Sequence, residues 1–158
     1  MMDKRLYRDP PFLISMVVLL ALASTIVLAG EFNEVDGVAI RGYDPVVYLN
    51  EQKAERGSGE FTGAYKGSTF RFRNAANRDL FLANPEKYAP QFNGYCAFGV
   101  SRGYKADISP DVFSVVDGKL YLNYNAEVKA MWSKDVSGYV AKANEKWPMV
   151  EKSTKVIR

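Results

Sequence analysis

Residues 67–88 read GSTFRFRNAANRDLFLANPEKY, and the change of period inside this stretch decides the fold class. In its first half Phe70 and Phe72 alternate with Arg71 and Arg73, the two-residue period of a half-buried strand. At Asn74 the pattern changes. An asparagine there predicts the N-cap of a helix over Ala75–Ala83, since its side chain accepts from the free N–H groups of the first turn. Ala76, Leu80 and Phe81 form the expected apolar side, and Pro85 limits the end. Working toward the N-terminus, Phe61–Tyr65 and Thr69–Phe72 flank Lys66-Gly67-Ser68, a hairpin signal. Farther up, Asp44-Pro45 precedes Val46-Val47-Tyr48-Leu49, a β-prone run that reads as a strand entered from a turn.

Toward the C-terminus, Val112–Val116 and Leu120–Leu122 flank Asp117-Gly118, the strongest turn signal in the chain. Asn125 predicts the cap of a second helix through about Lys134, with Val128, Met131 and Trp132 facing inward. Val136, Tyr139, Val140, Ala143 and Trp147 then recur at helical spacing. No internal repeat is legible. Two antiparallel hairpins, one more strand and about three helices make a single small α+β domain, because no strand–helix–strand alternation of a parallel sheet occurs. Val47, Phe72, Phe81, Leu120, Leu122, Trp132, Val140 and Trp147 are its expected core.

The chain has 158 residues and is 47% hydrophobic, enough for one domain with appendages. Residues 12–29 carry no charge and follow Lys4, Arg5 and Arg8, the order of an export signal. The run ends in two small-residue cleavage patterns, at Ala21–Ala23 and Val27–Ala29, and it is also just long enough to span a bilayer. Residues 1–29 are therefore read as a signal peptide or a transmembrane anchor. Either way the rest of the chain is expected outside the cytoplasm, in the periplasm or held at the inner membrane. Residues 30–37 read as a polar linker, 38–148 as the domain and 149–158 as a loose tail.

The net charge of +3 is too small to indicate nucleic acid. There is no histidine, which removes Ser-His-Asp catalysis and histidine-ligated metal. One cysteine, Cys96, excludes an internal disulfide or a paired-thiol motif.

The stretch 67–88 resembles the YHS-domain pattern at Gly67, Phe70, Phe72, Phe81, Pro85 and Tyr88. Gly42-Tyr43-Asp44-Pro45-Val46 is similar to the Asp-Pro-Val entry of the same domain. Gly94-Tyr95-Cys96-Ala97 and Asp117–Asn123 resemble the exported branch called YHS domain-containing (seleno)protein. The resemblance covers about residues 38–148 and implies a YHS-like fold. Metal-associated members keep cysteines at positions that fall here on Val47, Arg73 and Asn77. None of these is a thiolate ligand, so that metal binding does not carry over to them.

Cys96 lies between glycines in Asn93–Gly99. It reads either as a buried small hydrophobe or as a thiol used for redox, metal or intermolecular chemistry. Tyr95 and Phe98 are candidate apolar walls of a ligand site there, together with Tyr104, and Arg102 or Lys105 a candidate charge that favours the thiolate. A soft ion such as copper would need Cys96 with a thioether such as Met131. Asp44, Asp107 and Asp111 beside prolines or turns are explained by turn chemistry, and the clustered Arg71, Arg73 and Arg78 by an ordinary charged surface. The expected function is a non-catalytic binding or accessory module of the cell envelope, with an envelope or inner-membrane protein complex as partner. The alternative is a copper-type metal or thiol-redox protein using Cys96. An enzyme is the third class.

Overall fold

The computed structural model describes residues 30–158, so the expected signal or anchor at 1–29 lies outside the described residues. The structure is mixed α and β. A four-stranded sheet has the order β1-β2-β4-β3, with β1 at Glu34–Val35, β2 at Val38–Ala39, β3 at Ser58–Tyr65 and β4 at Ser68–Phe72. Strands β2 and β4 run parallel, and the other neighbours antiparallel. Helix α1 spans Pro45–Glu51, α2 Ala75–Ala83 and α3 Pro85–Tyr88. In the second half, α4 covers Ala97–Arg102 and β5 Lys105–Ala106. The hairpin of β6 at Phe113–Val116 and β7 at Lys119–Leu122 leads to α5 at Ala126–Trp132 and α6 at Val136–Val150. Strand β8, Val156–Ile157, pairs in parallel with β5. No helix among the described residues is long and apolar enough to cross a membrane.

Both hairpins form where the turn signals stand. Lys66-Gly67 and Asp117-Gly118 all take positive φ, the backbone of the two-residue turn that matches strand twist. Asn74 and Asn125 cap α2 and α5 through the N–H groups of Asn77 and Val128. Six of the eight expected core residues are buried, and Val140 and Trp147 are half-buried.

Four local expectations are corrected. Val46–Leu49 is helix and not strand: the Asp44 carboxylate accepts from Val46 N–H at 2.8 Å, and Pro45 occupies the first helical position. A cap and a preset φ override the β-preference of two valines. The inward face of α2 is Asn77 and Phe81, with Ala76 and Leu80 exposed, because Phe81 docks between Phe70 and Phe72 at 4.7 and 5.1 Å. On α5 Trp132 is buried and Val128 packs half-buried against the core as expected, but Met131 is exposed. The two ends also belong to the domain. Phe32 packs edge-on against Phe70 at 4.9 Å, Val150 is buried, and 156–157 form β8, so neither a polar linker nor a loose tail is found.

The halves of the domain repeat one another. Ile40-Arg41-Gly42 and Phe92-Asn93-Gly94 are each three consecutive left-handed residues, and each is followed by an extended tyrosine. Then comes a capping residue, Asp44 or Cys96, and a short helix, α1 or α4. Hairpin, asparagine cap and helix follow in both. Gly67 and Gly118, Asn74 and Asn125, and Phe81 and Trp132 stand at one constant spacing in the sequence. Phe81 and Trp132 are both fully buried, one in each of two apolar clusters.

The candidate site at Cys96

In the first half the capping position is a hydrogen-bond hub. Asp44 is completely buried. One carboxylate oxygen accepts from Val46 N–H at 2.8 Å and Val47 N–H at 3.4 Å, the other from Arg73 N–H and Asn77 Nδ2, both at 2.8 Å. Val47, Arg73 and Asn77 are the positions where the family resemblance places metal-binding thiols. They converge, and what they surround is a carboxylate.

The equivalent position in the second half is Cys96. Its Sγ accepts from Gly99 N–H at 3.5 Å and donates to Asn123 Oδ1 at 3.7 Å. The N–H groups of Tyr124 and Phe98 also face the sulfur. Gly99, Tyr124 and Phe98 are the repeat counterparts of Val47, Arg73 and Val46. The counterpart of Asn77 is Val128, so an apolar side chain replaces the amide. Burial pushes the Cys96 thiol above its ordinary pKa, against the smaller opposing effect of those N–H groups. The thiol is neutral at physiological pH.

Beside the sulfur lies a cavity of about 190 Å³ lined by Cys96, Phe98, Tyr104, Ala106, Tyr124, Val128 and Ile157. Tyr104, Tyr124 and Ile157 are 40%, 36% and 44% exposed and form its rim. Phe98 is steadied by an edge-on contact with Tyr139 at 5.0 Å. Asn123 is fully buried and holds the inner side through Phe98 N–H, at 3.4 Å from its Oδ1.

The other expected participants stand elsewhere. Tyr95 turns away from the cavity and lies under the Lys105 ammonium, 4.8 Å from its ring centre. Lys105 donates to the carbonyls of Glu151 and Ser153 at 2.9 and 2.8 Å, which closes the end of α6. Arg102 is exposed in the last turn of α4, whereas Cys96 caps the first, roughly 9 Å away along the axis at 1.5 Å per residue. Neither charge supports a thiolate. Met131 is not among the lining residues. A neutral thiol with two phenols and aliphatic neighbours does not fit a soft metal ion, which needs thiolate and thioether donors. The lining residues not legible in the sequence are Ala106 of β5, Tyr124 of the bend before α5, Val128 of α5 and Ile157 of β8. Only the asparagine-capped helix start near Tyr124 and Val128 carried a local signal.

Comparison with family models, with curated proteins and with solved structures finds no match for this chain.

Proposed function

We propose that this is an exported YHS-like domain that acts as a non-catalytic binding module of the cell envelope, and that it binds through the Cys96 cavity. The N-terminal order of basic and then apolar residues supports the location. One observation carries the binding role: a small apolar cavity opens between exposed aromatic and aliphatic side chains, over a thiol that burial keeps neutral. Isolated apolar side chains on a surface mean little, but three that rim one concavity mark a place for an apolar group. A protonated buried thiol is a poor nucleophile and a poor metal ligand, which counts against the copper-type and redox alternatives.

Benzene is a suitable test ligand, since apolar cavities of about 150 Å³ hold it. It should shift the methyl resonances of Ala106, Val128 and Ile157 in a saturable way. Cys96→Ser should change its affinity by no more than about threefold, as the sulfur adds little apolar area, whereas Val128→Trp should fill the cavity and abolish binding. Methyl shifts that never saturate, or that persist in Val128→Trp, would reject the cavity as a site. Stoichiometric copper that is lost in Cys96→Ser would move the assignment to the metal reading.

A further inference from the structure

On the far side of the first left-handed turn, three arginines converge on one concavity. Arg41, Arg56 and Arg71 line it with Val35, Asp36 and Val38, around about 340 Å³. They come from three separate parts of the chain, and two glycines bring them together. Gly57 donates its N–H to Gly42 O at 2.8 Å, and a Cβ on Gly57 would stand 2.4 Å from the main-chain carbon of Arg71. Gly42, at φ +76°, leaves room for the Arg71 side chain, whose Cδ would lie 3.3 Å from a Cβ there.

Two of the three guanidiniums are also oriented. Arg56 lies over the Tyr43 ring at 5.1 Å, and its Nη1 donates to Arg41 O at 3.4 Å. Arg41 pairs with the buried carboxylate of Asp107, which is itself fixed by Asn33 Nδ2 at 3.1 Å and Ile108 N–H at 2.8 Å. Arg41 and the β-branched Ile40 hold φ of 55° and 44°, a strained left-handed backbone that persists only where surrounding structure imposes it.

The charges do not balance. Asp107 offsets Arg41, but Arg56 and Arg71 have no carboxylate within 4.0 Å among the described residues, and Asp36 at the edge forms no ion pair. Two uncompensated guanidiniums in one concavity repel each other. Their planar forks match tetrahedral oxyanions through parallel N–H donors. The geometry points to a phosphate-monoester site: a dianion would neutralise Arg56 and Arg71 together, with Arg41 as the third donor. A soluble phosphate ester and a phosphatidic acid headgroup present the same chemistry.

The test titrates inorganic phosphate into the full chain in phosphatidylcholine nanodiscs at low ionic strength, where such a site is least screened. Saturable amide shifts should cluster at Arg41–Tyr43, Arg56–Gly57 and Arg71. Arg56→Ala and Arg71→Ala should each weaken binding about tenfold, as expected for a lost charge-assisted contact. Arg78→Ala should not, because Arg78 already pairs with Asp79. The double variant Arg56→Ala, Arg71→Ala should melt no lower than wild type without phosphate and should lose the rise that phosphate produces. That readout separates a binding role from a folding role. Absent saturation, shifts mapped elsewhere, or equal affinity in the arginine variants would overturn the site. Nanodiscs doped with phosphatidic acid identify the source. Competition with inorganic phosphate that depends on both arginines assigns the headgroup, and its absence assigns a soluble ester.

Discussion

Asp44→Ala should lower the unfolding free energy by about 4 kcal/mol, since four donors lose a buried charged acceptor and each such loss costs roughly 1–3 kcal/mol before relaxation. The residue caps α1 and ties it to the start of α2, so both helix beginnings should loosen. Asp44→Asn should recover less than half of that loss. One amide oxygen can still cap α1, but the NH₂ then faces the Arg73 N–H and the Asn77 amide, donor against donor. Urea unfolding followed by circular dichroism gives both values. Glu51→Gln is the control, because it removes an exposed partner of Arg73 and should leave stability unchanged. An Asp44→Ala variant as stable as wild type would show that the first capping position is not the hub described above.

The second large effect is at Trp132, the buried end of α5 and the counterpart of Phe81. It stacks on Tyr139 at 6.0 Å and leans on Tyr121 at 5.5 Å. Trp132→Ala should cost roughly 3–5 kcal/mol, the usual range for emptying an aromatic site in a core. Its Nε1 has no hydrogen-bond partner among the described residues. Trp132→Phe therefore gives up no hydrogen bond, and should cost about 1–2 kcal/mol for the smaller volume alone. A loss below about 1 kcal/mol in the alanine variant would mean that the second cluster is not organised around this ring.

Both residues show which parts of the fold were legible in the sequence. Local rules that concern one backbone position worked. Lys66-Gly67 and Asp117-Gly118 turn the chain, and Asn74 and Asn125 start helices, because each need is met by a residue type in place. Readings of a whole segment by its composition failed where a neighbouring cap or a tertiary partner decided. Val46–Leu49 has strand composition, yet Asp44 and Pro45 commit it to a helix. Val156-Ile157 has no period to detect, and becomes a strand only because β5 lies beside it.

The repeat was hidden for a related reason. Its halves share backbone shape more than residue type. Gly42-Tyr43 and Gly94-Tyr95 match, but the capping residues are Asp44 and Cys96, and the left-handed residues are Ile40-Arg41 and Phe92-Asn93. The site was half legible. Cys96 and Phe98 stand out within one segment, while Tyr124, Val128 and Ile157 reach the cavity only through folding. Arg102 was misplaced because nearness in sequence across a helix separates two residues along its axis.

A neutral, apolar binding cavity at Cys96 is distinguishable from a thiolate centre by the state of the sulfur. Titration of the thiol in the folded protein, read by ultraviolet thiolate absorbance against Cys96→Ala, decides between the two. Burial raises the folded thiol above its ordinary 9.0. As pH climbs past that value the unfolded chain releases its proton first, so the folded state binds more protons and stability falls with pH. The stabilising contribution is complete below about pH 8 and is lost through the folded pKa. The buried phenols of Tyr48, Tyr95 and Tyr121 are also raised, from 10.0, so the cysteine's own slope shows first, between 9.0 and 10.0. No thiolate is expected at neutral pH, its midpoint should lie above 9.0, and the alkaline loss of stability should be smaller in Cys96→Ala. A thiolate present at pH 7 in the folded protein would contradict the neutral cavity, and would return Cys96 to the metal and redox readings.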